Sequence, residues 1–267
     1  MATYVISDIH GHVRAFDQLL NEVSPADDDQ IWVLGDMIDR GPEPVEVLKR
    51  VRELSDGRVL MGNHEDLMCD YFLHGEEDPT LAINWSINGG TSTLEGLEKL
   101  EREEQLDLLE WVCNLPTAAH VRVHERDFLL VHAGLRSLGF SAETAWTDEA
   151  IESLLSQQSL DDALWIREDF WGHPLGFLDE RGEGPIVIAG HTPVPYVENL
   201  ADSFDRPARD EEGNCRMMRI GARPETAGVA DRWAIDCGAA GGAGWGRVLM
   251  LRLDDEQEFY ASIQEGE

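Results

Sequence analysis

Tyr4-Val5-Ile6-Ser7-Asp8-Ile9-His10-Gly11-His12 sets a short apolar run directly ahead of a carboxylate and an imidazole two residues apart. The arrangement recurs. Ile31-Trp32-Val33-Leu34 leads into Gly35-Asp36-Met37-Ile38-Asp39-Arg40-Gly41, and Val59-Leu60-Met61 leads into Gly62-Asn63-His64-Glu65. His132-Ala133-Gly134 and Gly190-His191-Thr192 add two more imidazoles. Apolar runs of this length read as strands, and ligands at strand ends are how an α/β protein gathers distant residues into one crevice. Asp8 and His10 are expected to alternate along an extended strand end, with both side chains on one side.

Between these clusters the pattern is helical. Phe16, Leu19, Leu20 and Val23 fall at i, i+3, i+4 and i+7, and Val47, Leu48, Val51 and Leu54 do the same after Pro42 and Pro44. The opening thus reads as strand, helix, strand, helix, strand, the signature of a largely parallel sheet with covering helices. Residues 94–112 predict one more helical stretch, closed before Pro116. Residues 121–123 and 128–131 predict a hairpin leading into His132. Helices are expected in 146–165, and strands at 186–188, 233–235, 248–253 and 259–263. The clusters need one another, so one domain is expected over 1–267. Residues 137–184, rich in aromatics, form a candidate cap, and 199–230 a polar loop.

Composition narrows the function. The chain has 267 residues, 42% of them hydrophobic, enough for a large core. No apolar run reaches the roughly 20 residues of a membrane span. A strand starting at Thr3 or Tyr4 leaves no room for a signal peptide, so a cytoplasmic location is expected. Cys69, Cys113, Cys215 and Cys237 show no C-x-x-C spacing and are expected as buried or idle thiols. The formal charge is −32, and Lys49 and Lys99 are the two lysines. Such acidity keeps a surface soluble or suits a salt-rich cytoplasm, and it disfavours a sequence-independent grip on nucleic acid.

The ordered clusters resemble the calcineurin-like metallophosphoesterases, within the branch holding bacterial serine/threonine protein phosphatases and symmetrical diadenosine tetraphosphatases. The resemblance runs from Tyr4 to about Gly244. It implies an α/β fold, an αββα sandwich of two mixed sheets with flanking helices, and two divalent metal ions. By the family's pattern one metal takes Asp8 and His10, the other takes Asn63, His132 and His191, and Asp36 bridges them. Oxygen and imidazole donors without thiolate suit manganese, with iron or zinc as alternatives. Alone, Asp8 or Asp36 would read as a helix cap. Pro193 stands where many superfamily members carry a second histidine, which turns the resemblance away from the nuclease and cyclic-phosphodiesterase branches.

The reaction so implied is attack on phosphorus by a hydroxide carried between the two metals. Arg40 has the planar fork that matches phosphate oxygens. His64 is the expected proton donor to the leaving group, oriented by Asp39. Arg167 is a candidate second phosphate clamp, or else a partner of Glu168 or Asp169. His12 is read as a helix-start residue, and His74, His120, His124 and His173 as structural or solvent-facing. The glycine-rich Asp236-Cys237-Gly238-Ala239-Ala240-Gly241-Gly242 precedes a strand rather than a helix, so it is not a nucleotide loop. The first functional expectation is a phosphatase of the serine/threonine protein phosphatase type, acting on a phosphoprotein or small-molecule phosphate, with no nucleic-acid or membrane partner. The second is hydrolysis of dinucleoside tetraphosphates to ADP, and a non-catalytic metal scaffold is a distant third. Residues 137–184 carry few basic groups, which on sequence grounds favours phosphomonoesters over diadenosine tetraphosphate.

Overall fold

The first apolar run becomes a central strand because both its edges are paired and its four residues are buried. The structure is a computed structural model that describes residues 1–54 and 56–267. In chain order the elements begin with β1 (Thr3–Ile6), α1 (Val13–Val23), β2 (Gln30–Val33) and α2 (Pro44–Leu54). Four helices follow: α3 (Asn63–His74), α4 (Thr80–Ile87), α5 (Thr91–Leu97) and α6 (Arg102–Cys113). Then come β3 (Ala118–Val123), β4 (Arg126–Val131), α7 (Asp148–Ser156), α8 (Leu160–Trp165), α9 (Glu168–Trp171) and β5 (Ile186–Ala189). The chain ends with α10 (Val194–Leu200), β6 (Met218–Ile220), β7 (Arg232–Ala234), β8 (Arg247–Arg252) and β9 (Gln257–Ser262).

These elements form two compact units, Met1–Pro116 with Gly238–Glu267, and Thr117–Cys237. The first holds a four-stranded sheet ordered β2-β1-β8-β9, with β1 parallel to β2 and antiparallel to β8. Phe16 and Leu19 of α1 and Val47, Leu48 and Val51 of α2 join Tyr4, Ile6, Val248 and Met250 in one buried core. Each such side chain contributes roughly 1.5–3 kcal/mol by leaving water. Leu54, the last member of the predicted α2 stripe, is exposed.

Three expectations in this unit are corrected. Residues 59–61 are not a third strand, since Val59 makes a single parallel bridge to Val33. After Leu60 N–H donates to Val33 O, the next amide on the β2-facing side, Gly62 N–H, donates to the Glu65 carboxylate at 2.9 Å instead, and the ladder stops. The stretch 94–112 is two helices rather than one. The amides of Lys99 and Leu100 reach back only three residues, to Gly96 and Leu97, and Glu101 is extended, so the first helix tightens and stops. Finally, Cys69 and Cys113 are not idle thiols. They form a disulfide between α3 and α6, with Cα atoms 5.7 Å apart, while Cys215 and Cys237 are buried.

The second unit holds a five-stranded sheet ordered β3-β4-β5-β7-β6. The β3–β4 hairpin is antiparallel as expected, β4–β5 and β5–β7 are parallel, and β6 runs antiparallel to β7. The fold class is therefore α/β with two mixed sheets. In 137–184, Phe170, Trp171 and Phe177 are fully buried. Beneath them Arg232, also fully buried, donates to the Phe170 and Trp171 carbonyls and pairs with Asp231 and Asp202. The stretch 199–230 contains β6, with Ala208, Cys215 and Met217 buried beside it. Among the described residues, no helix is long and apolar enough to cross a membrane.

Candidate active site

In the first unit the loops after β1 and β2 are laced together by backbone bonds. Asp8 N–H donates to Gly35 O, His10 N–H to Asp36 O and Gly11 N–H to Met37 O, at 2.9–3.2 Å. Asp8 and His10 therefore do not alternate along a strand. β1 ends at Ile6, and both residues adopt left-handed backbone, with φ of 52° and 48°. Asp36, Asp39, Arg40 and His191 do the same, with φ of 51–68°. That conformation costs an L-residue about 1–2 kcal/mol. Its concentration at the predicted ligands marks a place where surrounding bonds hold strained backbone.

The geometry gathers a ligand-capable trio. Donor atoms of His10, Asp36 and His64 all lie within 4.8 Å of one another, and all three residues are buried. His10 Nδ1 faces Ile38 O at 2.9 Å, so it holds the ring proton and leaves the Nε2 lone pair 3.5 Å from Asp36 Oδ2. Burial, and then the neighbouring His64, push the His10 imidazole well below its ordinary value and keep it neutral, the form a metal requires. Burial pushes the Asp36 carboxyl well above the usual carboxylate range, and the charges of Asp8 and Glu65 push it further. Crowded buried carboxylates beside a neutral imidazole are a donor set that a divalent cation fits, because its charge offsets their repulsion.

Asn63 and His64 open α3, and Asp36 Oδ1 accepts the His64 amide at 3.1 Å. Asp36 thus caps the helix with one oxygen while presenting the other to His10. Glu65 was not anticipated. Fully buried, it accepts the amides of Asp36, Met37 and Gly62 at 2.8–2.9 Å and so clamps the loop that carries Asp36. Gly35 and Gly62 must be glycines for this approach. A Cβ on Gly35 would stand 2.3 Å from Gly62 N, and one on Gly62 would stand 2.3 Å from Asp36 Oδ1.

His64 Nδ1 lies 2.6 Å from Asp39 Oδ2, the predicted dyad, which leaves Nε2 as the atom presented toward Asp36 at 3.9 Å. Arg40 is exposed at the end of the same loop. In the second unit the His132 and His191 rings lie 5.0 Å apart, and Gly190 N–H donates to His132 O. Arg167 Nη1 donates to His191 O at 3.0 Å and to the Thr192 hydroxyl at 3.1 Å. Trp165, 36% exposed, sets its ring edge 6.0 Å from His191. The remaining histidines take the expected places: His12 is the buried residue before α1, His120 pairs with Asp127, and His74, His124 and His173 are exposed.

The sequence matches the calcineurin-like phosphoesterase family over residues 1–218. The chain belongs to that family. The divalent metal ions of that family fit the donor set described above. A symmetrical bis(5'-nucleosyl)-tetraphosphatase from Chromohalobacter salexigens is 31% identical over 268 residues, 95% of this chain and 90% of that protein. Another so named, from Vibrio campbellii, is 28% identical over 187 residues, 69% of this chain and 62% of that protein. The chain thus spans less than two thirds of the Vibrio relative's length. A protein serine/threonine phosphatase from Saccharomyces cerevisiae shares the fold of this phosphoesterase, with a TM-score of 0.51 at 14% identity over 100% of this chain and 81% of that one.

Proposed function

We propose that this phosphoesterase hydrolyses dinucleoside tetraphosphates symmetrically, releasing two nucleoside diphosphates. The observation that carries the reading is the Chromohalobacter relative, whose likeness covers 95% of this chain. Asp8, His10 and Asp36 would hold one divalent ion, and Asn63, His132 and His191 the other, with Asp36 shared. Manganese is the proposed metal on the oxygen and imidazole donor set, and the cytoplasm the proposed compartment. When bound, the two ions supply Lewis acidity and an activated water. The chain's own residues supply the rest. Arg40 grips the non-bridging oxygens with its planar fork. His64, oriented through Nδ1 by Asp39, gives its Nε2 proton to the leaving oxygen. Arg167 and Trp165, grouped at His191, offer a guanidinium for a further phosphate and an indole face for a base.

A second reading, a phosphomonoesterase of the serine/threonine protein phosphatase type, is favoured by one observation. Arg136, just ahead of 137–184, and Arg181 within it are tied to Asp162, Asp169, Asp179 and Glu183, which spends their charge away from a polyanion. Side-by-side kinetics with manganese on diadenosine tetraphosphate, a phosphoserine peptide and p-nitrophenyl phosphate decide between them. The expected result is a kcat/KM at least about a hundredfold higher on the dinucleotide, with ADP as sole product; that ratio corresponds to roughly 2.7 kcal/mol of transition-state discrimination. Higher kcat/KM on the monoesters moves the assignment to the second reading.

A further inference from the structure

We infer that the segment from Trp85 to Thr93, which none of the metal-ligand clusters includes, positions Asp39 and Arg40 for the reaction; this rests on the roles proposed above for Asp39, Arg40 and His64. Asp39 and Arg40 are consecutive residues with φ of 68° each. Two L-residues in a row in the left-handed region persist only where neighbours over-determine them. This segment supplies such neighbours to both residues. The Thr93 hydroxyl accepts the Asp39 amide at 3.0 Å and donates to Asp39 Oδ1 at 2.5 Å, so one group fixes both the backbone and the carboxylate. Trp85 Nε1–H donates to the same carboxylate, at 3.0 Å to Oδ2 and 3.2 Å to Oδ1. Gly89 O accepts the Arg40 amide at 3.2 Å.

Neutral donors therefore hold the Asp39 carboxylate in the one plane from which Oδ2 meets His64 Nδ1. Asp39 and Thr93 are fully buried and Trp85 is 2% exposed, so water does not compete for these bonds. The Trp85 ring packs on Tyr71 and Phe72 of α3, with centroids 5.2 and 6.0 Å away. α3 is the helix that begins with Asn63 and His64, so the same indole ties both partners of the dyad to one body. The two glycines complete the fit. Gly89, at φ +105°, would bring a Cβ to 2.8 Å from Arg40 Cδ, and a Cβ on Gly90 would stand 2.4 Å from Trp85 Nε1.

The test uses Thr93→Val, Thr93→Ser, Trp85→Phe and Gly89→Ala in the full-length metal-loaded enzyme, with His64→Asn and Arg40→Ala as references. Turnover is measured on a phosphoserine peptide, whose leaving group needs a proton, and on p-nitrophenyl phosphate, whose leaving group does not. Metal content and Tm are measured in parallel. Thr93→Val and Trp85→Phe are expected to lose about 10–100-fold in kcat on the peptide, the usual cost of losing such an orienting partner, and much less on the nitrophenyl ester, with metal content kept. Thr93→Ser retains the hydroxyl and is expected to stay near wild type. Gly89→Ala is expected to raise KM as Arg40→Ala does. If His64→Asn shows the leaving-group-dependent loss and Thr93→Val does not, or if Thr93→Val and Thr93→Ser behave alike, the inference is overturned. If His64→Asn shows no such dependence, the reading of the dyad itself fails, and the inference with it.

Discussion

Asp36 concentrates the conflict that a metal would resolve. Its carboxyl and that of Glu65 are held above the usual carboxylate range, burial being the first cause of each. A carboxyl whose folded value is raised binds more protons in the fold than in the unfolded chain across the interval between the two values. Its contribution to stability is complete below the unfolded value and is lost as pH rises through the folded one. The metal-free protein should therefore lose Tm on going from acidic to neutral pH, and added manganese should restore more of it at neutral than at acidic pH. Scanning calorimetry at matched ionic strength checks this, and a manganese effect independent of pH would count against it. Asp36→Asn removes one buried charge and the proposed shared ligand together. It should raise the metal-free Tm at neutral pH while cutting metal occupancy, measured by elemental analysis after dialysis, by at least about 10–100-fold in affinity.

Among the elements, α3 has the most depending on it. Its first turn carries Asn63, His64 and Glu65, and its middle is tied to α6 through Cys69–Cys113, which closes a 44-residue separation. Closing a loop of that length is worth about 3–4 kcal/mol where it constrains the unfolded chain. Protein purified without reductant should show two titratable thiols rather than four when unfolded, and Cys113→Ala should lower Tm without changing metal occupancy. Four thiols would show that the bridge is open under those conditions, as a reducing compartment favours. Asp66, on the same helix, is pushed up to about 6 by burial and by Asp70 one turn on. By the same sign, its contribution falls as pH rises from the ordinary carboxylate value through about 6. Asp66→Asn should flatten the pH dependence of Tm across that window, and an unchanged slope would sink the assignment.

For the molecule as a whole, the decisive quantity is a net charge of −32, from 53 acidic and 21 basic residues. Self-repulsion of that size opposes the folded state and is screened over about 10 Å at 0.1 M salt and 3 Å at 1 M. Tm should rise steadily with potassium chloride through the molar range, and a flat or falling Tm would mean that local ion pairs outweigh the net field. Much of the chain's character was legible without coordinates. Runs such as Tyr4-Val5-Ile6 and the α1 and α2 stripes announce themselves because periodicity reflects burial on one face, which is a local property of sequence. The candidate donors stood out because divalent-metal chemistry admits few side-chain types. What adjoining residues could not reveal were bonds between positions distant in sequence. Whether 59–61 continues a ladder depends on where the Glu65 carboxylate lies, and whether Cys69 meets Cys113 depends on the packing of α3 and α6. Glu65, Trp85 and Thr93 look ordinary in sequence, since a carboxylate, an indole and a hydroxyl become orienting groups only when the fold removes water and aims them. The sequence by itself determined the α/β class, the core stripes and the donor set; the tertiary structure alone decided the left-handed loops, the disulfide and the bonds that aim Asp36 and Asp39, because those depend on contacts that no local pattern encodes.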